Sequence, residues 1–197
     1  MDSTSAIITQ LNASIQAKQH IAKNPELIAR VNQAIDIIAQ AITNGHRVLF
    51  CGNGGSAADA QHLAAELSGR FKLERRPFDA EALHCNSSYL TAVGNDYGYD
   101  EVFARMVQAG GHPGDVLVAI STSGNSANVV KACQKAASIG MAVIGLTGQN
   151  GGAMQKFCSV LLNVPTVDTP HIQECHITLG HIICDQVEQI VCTLERQ

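Results

Sequence analysis

Arg47-Val48-Leu49-Phe50-Cys51-Gly52-Asn53-Gly54-Gly55-Ser56-Ala57-Ala58-Asp59-Ala60 runs from a short apolar stretch through a small polar turn into a helical pattern. Residues 116–130, VLVAISTSGNSANVV, repeat the scheme, and both turns contain Gly-Asn followed by serine. An unbroken apolar run of four to eight residues beside a turn reads as a strand buried on both faces, the habit of parallel sheets. The two stretches are therefore expected to be equivalent strand-to-helix turns at the carboxyl edge of one sheet. That edge is where open α/β sheets bind ligands.

Working outward, further strands are expected at Arg47–Cys51, Asp115–Ile120, Ala142–Leu146 and Val160–Val164, with a weaker one at Ala80–His84, where Asp79 and Glu81 interrupt the apolar pattern. Helices are expected near 56–69, 98–108, 126–139 and 152–158, with a long last helix over 172–194. Two helices precede the sheet, at about 5–22 and 25–44. The second spaces Leu27, Ile28, Val31, Ala34, Ile35, Ile38 and Ala41 at helical intervals, with Asn24 as N-cap, Pro25 in the first turn and Asn44-Gly45 as the stop. Strands alternating with helices predict an α/β fold, a doubly wound five-stranded parallel sheet in one domain over residues 1–197. Residues 1–44 form an N-terminal helical pair whose apolar faces are wider than one sheet face needs, so they are expected to pack against other subunits.

The 197 residues are 46% hydrophobic and 15% charged, which suits one globular domain rather than a disordered chain. A net charge of -4 provides no general basic field for nucleic acid. No apolar run is long enough to span a membrane, and the first ten residues lack a signal-peptide pattern, so a cytoplasmic protein is expected. Seven cysteines without a CxxC pair read as small buried hydrophobes rather than a disulfide framework.

Ser121, Thr122, Ser123 and Ser126 crowd four hydroxyls before a helix start. Such a cluster caps a helix, or it binds a phosphate with the help of free N–H groups and the helix dipole. Gly52-Asn53-Gly54-Gly55-Ser56 is a tight turn or a place where backbone approaches a ligand closely; it is neither a Walker A loop nor GxGxxG. His62 and Glu66, four apart on one helical face, make a surface contact or grip one cation. Gln173 and His181 share a stripe of the last helix about 12 Å apart along an ideal axis, near the limit for meeting one ion. Either Gln173 sits in a distorted first turn or the two belong to different subunits' sites; a satisfied core histidine is the plain alternative for His181. His176 reads as structural or interfacial. The basic run Arg70–Arg76 reads as a solvated loop, unless Arg70 reaches a phosphate or a neighbouring subunit.

The segments CGNGGSAADAQH, AVGNDYGYD, GDVLVAISTSGNSANVVKA, LTGQNGG and TPHIQECHITLGHIICDQVE together resemble the phosphoheptose isomerases of the sugar isomerase (SIS) fold, over about residues 8–192. The resemblance implies a flavodoxin-like sheet, a homotetramer with sites near subunit interfaces, and one zinc per subunit on His62, Glu66, Gln173 and His181. It implies substrate contacts at Asn53, Gly54, Gly55, Ser56, Glu66, Asn95, Asp96, Ser121, Thr122, Ser123, Ser126 and Gln173, with Glu66 and His181 as acid and base. The implied reaction converts D-sedoheptulose 7-phosphate to D-glycero-D-manno-heptose 7-phosphate, the first step of ADP-heptose synthesis for lipopolysaccharide core. Some members carry an aspartate where this chain has Pro170, although Asp168 is near. The alternative is a non-enzymatic SIS adaptor or sugar-phosphate sensor, of the kind that binds the replication initiator; a complete metal quartet argues against it. Neither nucleic acid nor membrane is an expected partner.

Overall fold

A computed structural model describes residues 2–196. The chain opens with helices α1 (Ser3–Ala22) and α2 (Pro25–Thr43), and then alternates β1 (Val48–Gly52), α3 (Gly55–Ser68), β2 (Ala80–Ala82), α4 (Ser87–Tyr97), α5 (Val102–Gly110), β3 (Val116–Ile120), α6 (Ala127–Ser138), β4 (Ala142–Thr147), β5 (Val160–Asn163) and α7 (Thr169–Leu194). Asn24 caps α2, its side chain accepting from the Leu27 N–H, and Pro25 sits in the first turn. Gly45, at φ +78°, turns the chain out of that helix.

All strand pairs are parallel, in the order β2-β1-β3-β4-β5. The chain leaves β1 toward β2 on one side and returns with β3 on the other. The order therefore reverses between β1 and β3, which makes their carboxyl ends the sheet's binding crevice. Successive residues of each strand serve opposite faces. Val48, Phe50, Val116, Val118 and Ile120 join one core with α2, α3 and α7, while Leu49, Cys51, Leu117 and Ala119 join the other with α5 and α6. Burial on both faces is why these strands read as continuous apolar runs.

Four expectations need correction. The helix expected at 98–108 is a 3-10 turn over Tyr99–Glu101 followed by α5, because Gly98 at φ +88° breaks the chain's direction. The stretch 152–158 is a 3-10 turn, Ala153–Phe157. Helix α4 was not foreseen: of its residues only Val93 is buried, so it carries no apolar stripe to read. The last helix starts at Thr169, with Pro170 in its first turn, where a missing N–H costs nothing. Five cysteines are buried, Cys158 is half-buried, and only Cys85 is exposed.

Helix α1 buries only Ala17 and Ile21 and leans on α7 through polar contacts, Ser14 and Lys18 to Glu174 and Gln10 to His171. Its Ile7, Ile8, Leu11 and Ile15 are each more than half exposed.

Helices α3 and α7 run side by side in the same sense. Gly55 meets Gln173 at one level, and Leu63 meets Gly180 further on. A Cβ on Gly180 would stand 2.5 Å from Leu63 Cδ1, and Leu63 is buried and cannot swing away. Gly180→Ala gains about 1 kcal/mol of helix propensity but overpacks a tight contact at about 1–3 kcal/mol. We expect a net loss of about 1 kcal/mol in urea unfolding; a stabilised variant would show that the helices part freely.

Candidate active site

The two polar turns lie at the reversal point. Gly54 caps α3 at φ +53°, a backbone region that favours glycine. A side chain on Gly55 would collide with the Gln173 amide, so this residue is a glycine because α7 approaches it. Ser56 is buried beneath the turn.

In the second turn, Ser126 occupies the N-cap of α6 without making a side-chain cap bond. Its hydroxyl instead lies 3.1 Å from that of Ser121, which is also 3.5 Å from Ser123. Three hydroxyls thus face one another above a helix start, and Ser123 also accepts from the Asn125 N–H at 3.1 Å. Thr122 and Ser123 border a hollow of about 240 Å³ shared with Asn125, Gln149 and Thr166.

The turns are joined by a pair the sequence reading missed. Asn53 Nδ2 donates to Asn128 Oδ1 at 2.8 Å, and Asn128 Nδ2 donates to Asn53 Oδ1 at 2.9 Å. The only hint was an asparagine directly after SGNSA, second in α6. Tyr99 reaches the same oxygen of Asn53 at 3.4 Å, tying in the segment beyond α4. Asn95 and Asp96, near the end of α4, are exposed and bond to each other at 2.8 Å. Within one chain they are not hydrogen-bonded to either turn among the described residues.

On the flank of α3, His62 Nε2 lies 3.2 Å from Glu66 Oε1 and 2.9 Å from His181 Nε2. Among the described residues these three are the one set of histidine, cysteine and acidic side chains whose donor atoms converge, all within 4.8 Å. Zinc with ligands at about 2.0–2.2 Å in a tetrahedron needs donors roughly 3.4 Å apart, close to the two distances His62 makes, while Glu66 and His181 would have to draw together to share an ion. Two imidazoles, one carboxylate and an open side make a donor set of the catalytic kind. Gln173 is in regular helix, not a distorted turn, and its amide rests on Gly55. Of the four implied ligands, three meet and the fourth stands on the adjoining turn.

The model of the SIS domain matches residues 12–148. A phosphoheptose isomerase of Rhodospirillum rubrum is 55% identical over 163 residues, 83% of this chain and 87% of that one. This chain belongs to the phosphoheptose isomerase family of SIS-domain proteins. Two solved structures of the family superpose closely. That of the Neisseria gonorrhoeae phosphoheptose isomerase has a TM-score of 0.88 at 46% identity, covering 94% of this chain and 98% of that one. That of the Francisella tularensis phosphoheptose isomerase has a TM-score of 0.92 at 39% identity, covering 96% and 100%.

One buried group near the family's site does not join the cluster. His176, on α7 one turn after Gln173, has no exposure and no hydrogen-bond partner on either ring nitrogen. Burial pushes its imidazole down to about 4; the neighbouring Thr147 backbone opposes the shift but lies outside hydrogen-bond geometry. Between pH 6.5 and 4 the unfolded chain protonates this ring while the folded one does not. The neutral ring therefore carries no penalty above pH 6.5, and stability falls as pH drops toward 4, by on the order of 3 kcal/mol. His176→Leu should flatten that part of the acid limb in urea unfolding at stepped pH; an unaltered slope would assign the loss elsewhere.

Proposed function

We propose that this chain is a ketose–aldose isomerase that interconverts D-sedoheptulose 7-phosphate and D-glycero-D-manno-heptose 7-phosphate, at the entry to ADP-heptose synthesis, in the cytoplasm. The observation that carries this reading is the convergence of His62, Glu66 and His181 beside two polar turns at the sheet's reversal point. The names of the relatives supply the substrate class.

The reaction moves a proton between C1 and C2 through an enediol(ate), so it needs a base, an acid and a stabiliser for the oxygen. Ser121, Thr122, Ser123 and Ser126 hold the phosphate, with the dipole of α6 behind them. Asn53, Gly54, Gly55, Ser56 and Gln173 receive the sugar from the first turn, and Asn95 and Asp96 from the end of α4. Glu66 and His181 share the proton transfers: one takes a proton from C1 of the ketose while the other protonates the carbonyl oxygen at C2, giving the enediol; the first then returns its proton to C2 while the second takes the proton of the C1 hydroxyl, leaving the aldehyde at C1. His62, Glu66 and His181, with Gln173 from the adjoining turn, would hold one zinc. That ion would supply Lewis-acid polarisation of the carbonyl and hydroxyl oxygens.

Chelation should abolish turnover of sedoheptulose 7-phosphate without unfolding the chain, and zinc should restore it. Glu66→Gln should lower kcat about 100-fold or more with little change in KM. The Ser121→Ala/Ser126→Ala double variant should do the reverse, raising KM about tenfold or more. Full activity of metal-free protein, or of Glu66→Gln, would sink the assignment and favour the adaptor or sensor alternative.

The same reading includes a homotetramer. Helix α1 offers Ile7, Ile8, Leu11 and Ile15 to solvent on a chain whose other apolar groups are largely buried, and a second copy is the partner that covers them. Light scattering at micromolar concentration should return four chains; a monomer would remove this part of the proposal.

A further inference from the structure

On α7, two turns beyond His181 on the same face, Glu188 has no exposure at all. A carboxylate buried on an apolar helix face is costly unless its oxygens are satisfied. Here they take four donors. Oε1 accepts from the Phe71 N–H and from Arg75 Nε, each at 2.9 Å, and Oε2 accepts from the N–H groups of Lys72 at 2.7 Å and Leu73 at 2.8 Å. Burial pushes the carboxyl up, but the backbone donors of Lys72, Leu73 and Phe71, with Arg75, outweigh it and hold it below the usual glutamate range.

The partner of Glu188 faces the other helix. Arg75, whose side chain is only 2% exposed, donates from Nη1 to the carbonyls of Leu67 at 3.0 Å, Gly69 at 3.1 Å and Arg76 at 2.9 Å, and from Nη2 to the carbonyl of Glu66 at 2.9 Å. These include the carbonyls that the end of α3 leaves without helical partners, where a cation is also favoured by the dipole. Its guanidinium lies 3.8 Å over the Phe78 ring. One ion pair thus joins the last turn of α3, which carries Glu66, to α7, which carries His181. The loop gathered between them presents Phe71 to His181, with ring centroids 5.9 Å apart and planes 27° from parallel.

We propose that Glu188, Arg75 and Phe71 are positioning residues: the buried pair holds the end of α3 against α7, and the loop it anchors stacks Phe71 on His181 and sets that ring's orientation toward His62 and Glu66. The role in metal affinity rests on the proposed metal reading of the cluster, whereas the role in ring orientation does not.

Breaking a buried pair by removing one charge is strongly destabilising, so Glu188→Gln alone is an insufficient test. Phe71→Leu keeps the backbone N–H that Glu188 binds and removes only the stacked ring. Arg75→Lys keeps the charge and removes the fork. Each variant is compared with the parent chain in two ways: histidine ring signals by NMR on metal-free protein, and zinc affinity by competition with a chelator. We expect the His181 ring signals to shift or broaden in all folded variants, while those of His46 and His112, at the opposite edge of the sheet, stay in place. Zinc affinity should fall at least threefold in Phe71→Leu and at least tenfold in Arg75→Lys or Glu188→Gln. Should Glu188→Gln fail to fold, Phe71→Leu and Arg75→Lys decide. Unmoved His181 signals in the folded variants would overturn the proposal, leaving the pair a stabilising contact only. A parent chain that bound no zinc would overturn the metal reading, while the ring signals would still decide the positioning role.

Discussion

The contact between Leu63 on α3 and Gly180 on α7 is the constraint on which the convergence of His62, Glu66 and His181 depends. Each helix arrives from a different part of the chain, and His62 and His181 are 119 residues apart in sequence. Their Nε2 atoms meet at 2.9 Å only because the helices approach where one of them has no Cβ. Wider separation would leave a histidine–glutamate pair on one helix and a lone histidine on the other, and neither holds an ion well. Close packing thus acts here as a geometric device for the site as well as a source of stability.

The sheet contributes direction. Because the strand order reverses between β1 and β3, the turns after these strands diverge from one crevice instead of following each other along an edge. The reciprocal amide bonds of Asn53 and Asn128 then tie the serine turn and the glycine turn at a set spacing. Gln173, resting on Gly55, brings α7 to the same turn. The serine turn, the glycine turn and the His62–Glu66–His181 cluster are therefore carried by three elements, α3, α6 and α7, that are tied together.

What was legible in the sequence follows from how local each signal is. β1, β3, β4 and β5 were readable because burial on both faces turns a strand into an unbroken apolar run, and the start of α2 because Asn24-Pro25 acts within one turn. Helix α4 was not, because it has only Val93 buried and its Ser-Ser start and Gly-Asn-Asp end look like turn residues. In the site, His62 and Glu66 were readable as a pair by their spacing alone. That His181 joins them, and that Gln173 instead touches Gly55, depends on the register of α7 against α3, which no spacing within either helix encodes. Asn128 and Glu188 were missed for the same reason: each bonds to a distant segment.

The polar residues of α7 become intelligible once that register is known. An apolar helix packed on a sheet has no need of Gln173, His181 and Glu188, and each is costly to bury without a partner. They stand eight and seven residues apart, about 2.2 and 1.9 turns, so they stay on one side of the helix, facing α3 and the loop after it. Gln173 meets the start of α3, His181 its middle, and Glu188 the loop that leaves its end. The stripe therefore works as a ruler: the close approach of Gln173 to Gly55 and the hydrogen bonds of His181 and Glu188, at successive levels, specify the axial position of α7, which apolar packing alone, being non-directional, would leave free to slide. A slide of one residue, about 1.5 Å, would part His181 from His62 and Glu188 from its donors together. His181, which joins the His62–Glu66 pair, and the groups that fix the register thus lie on one face of one helix.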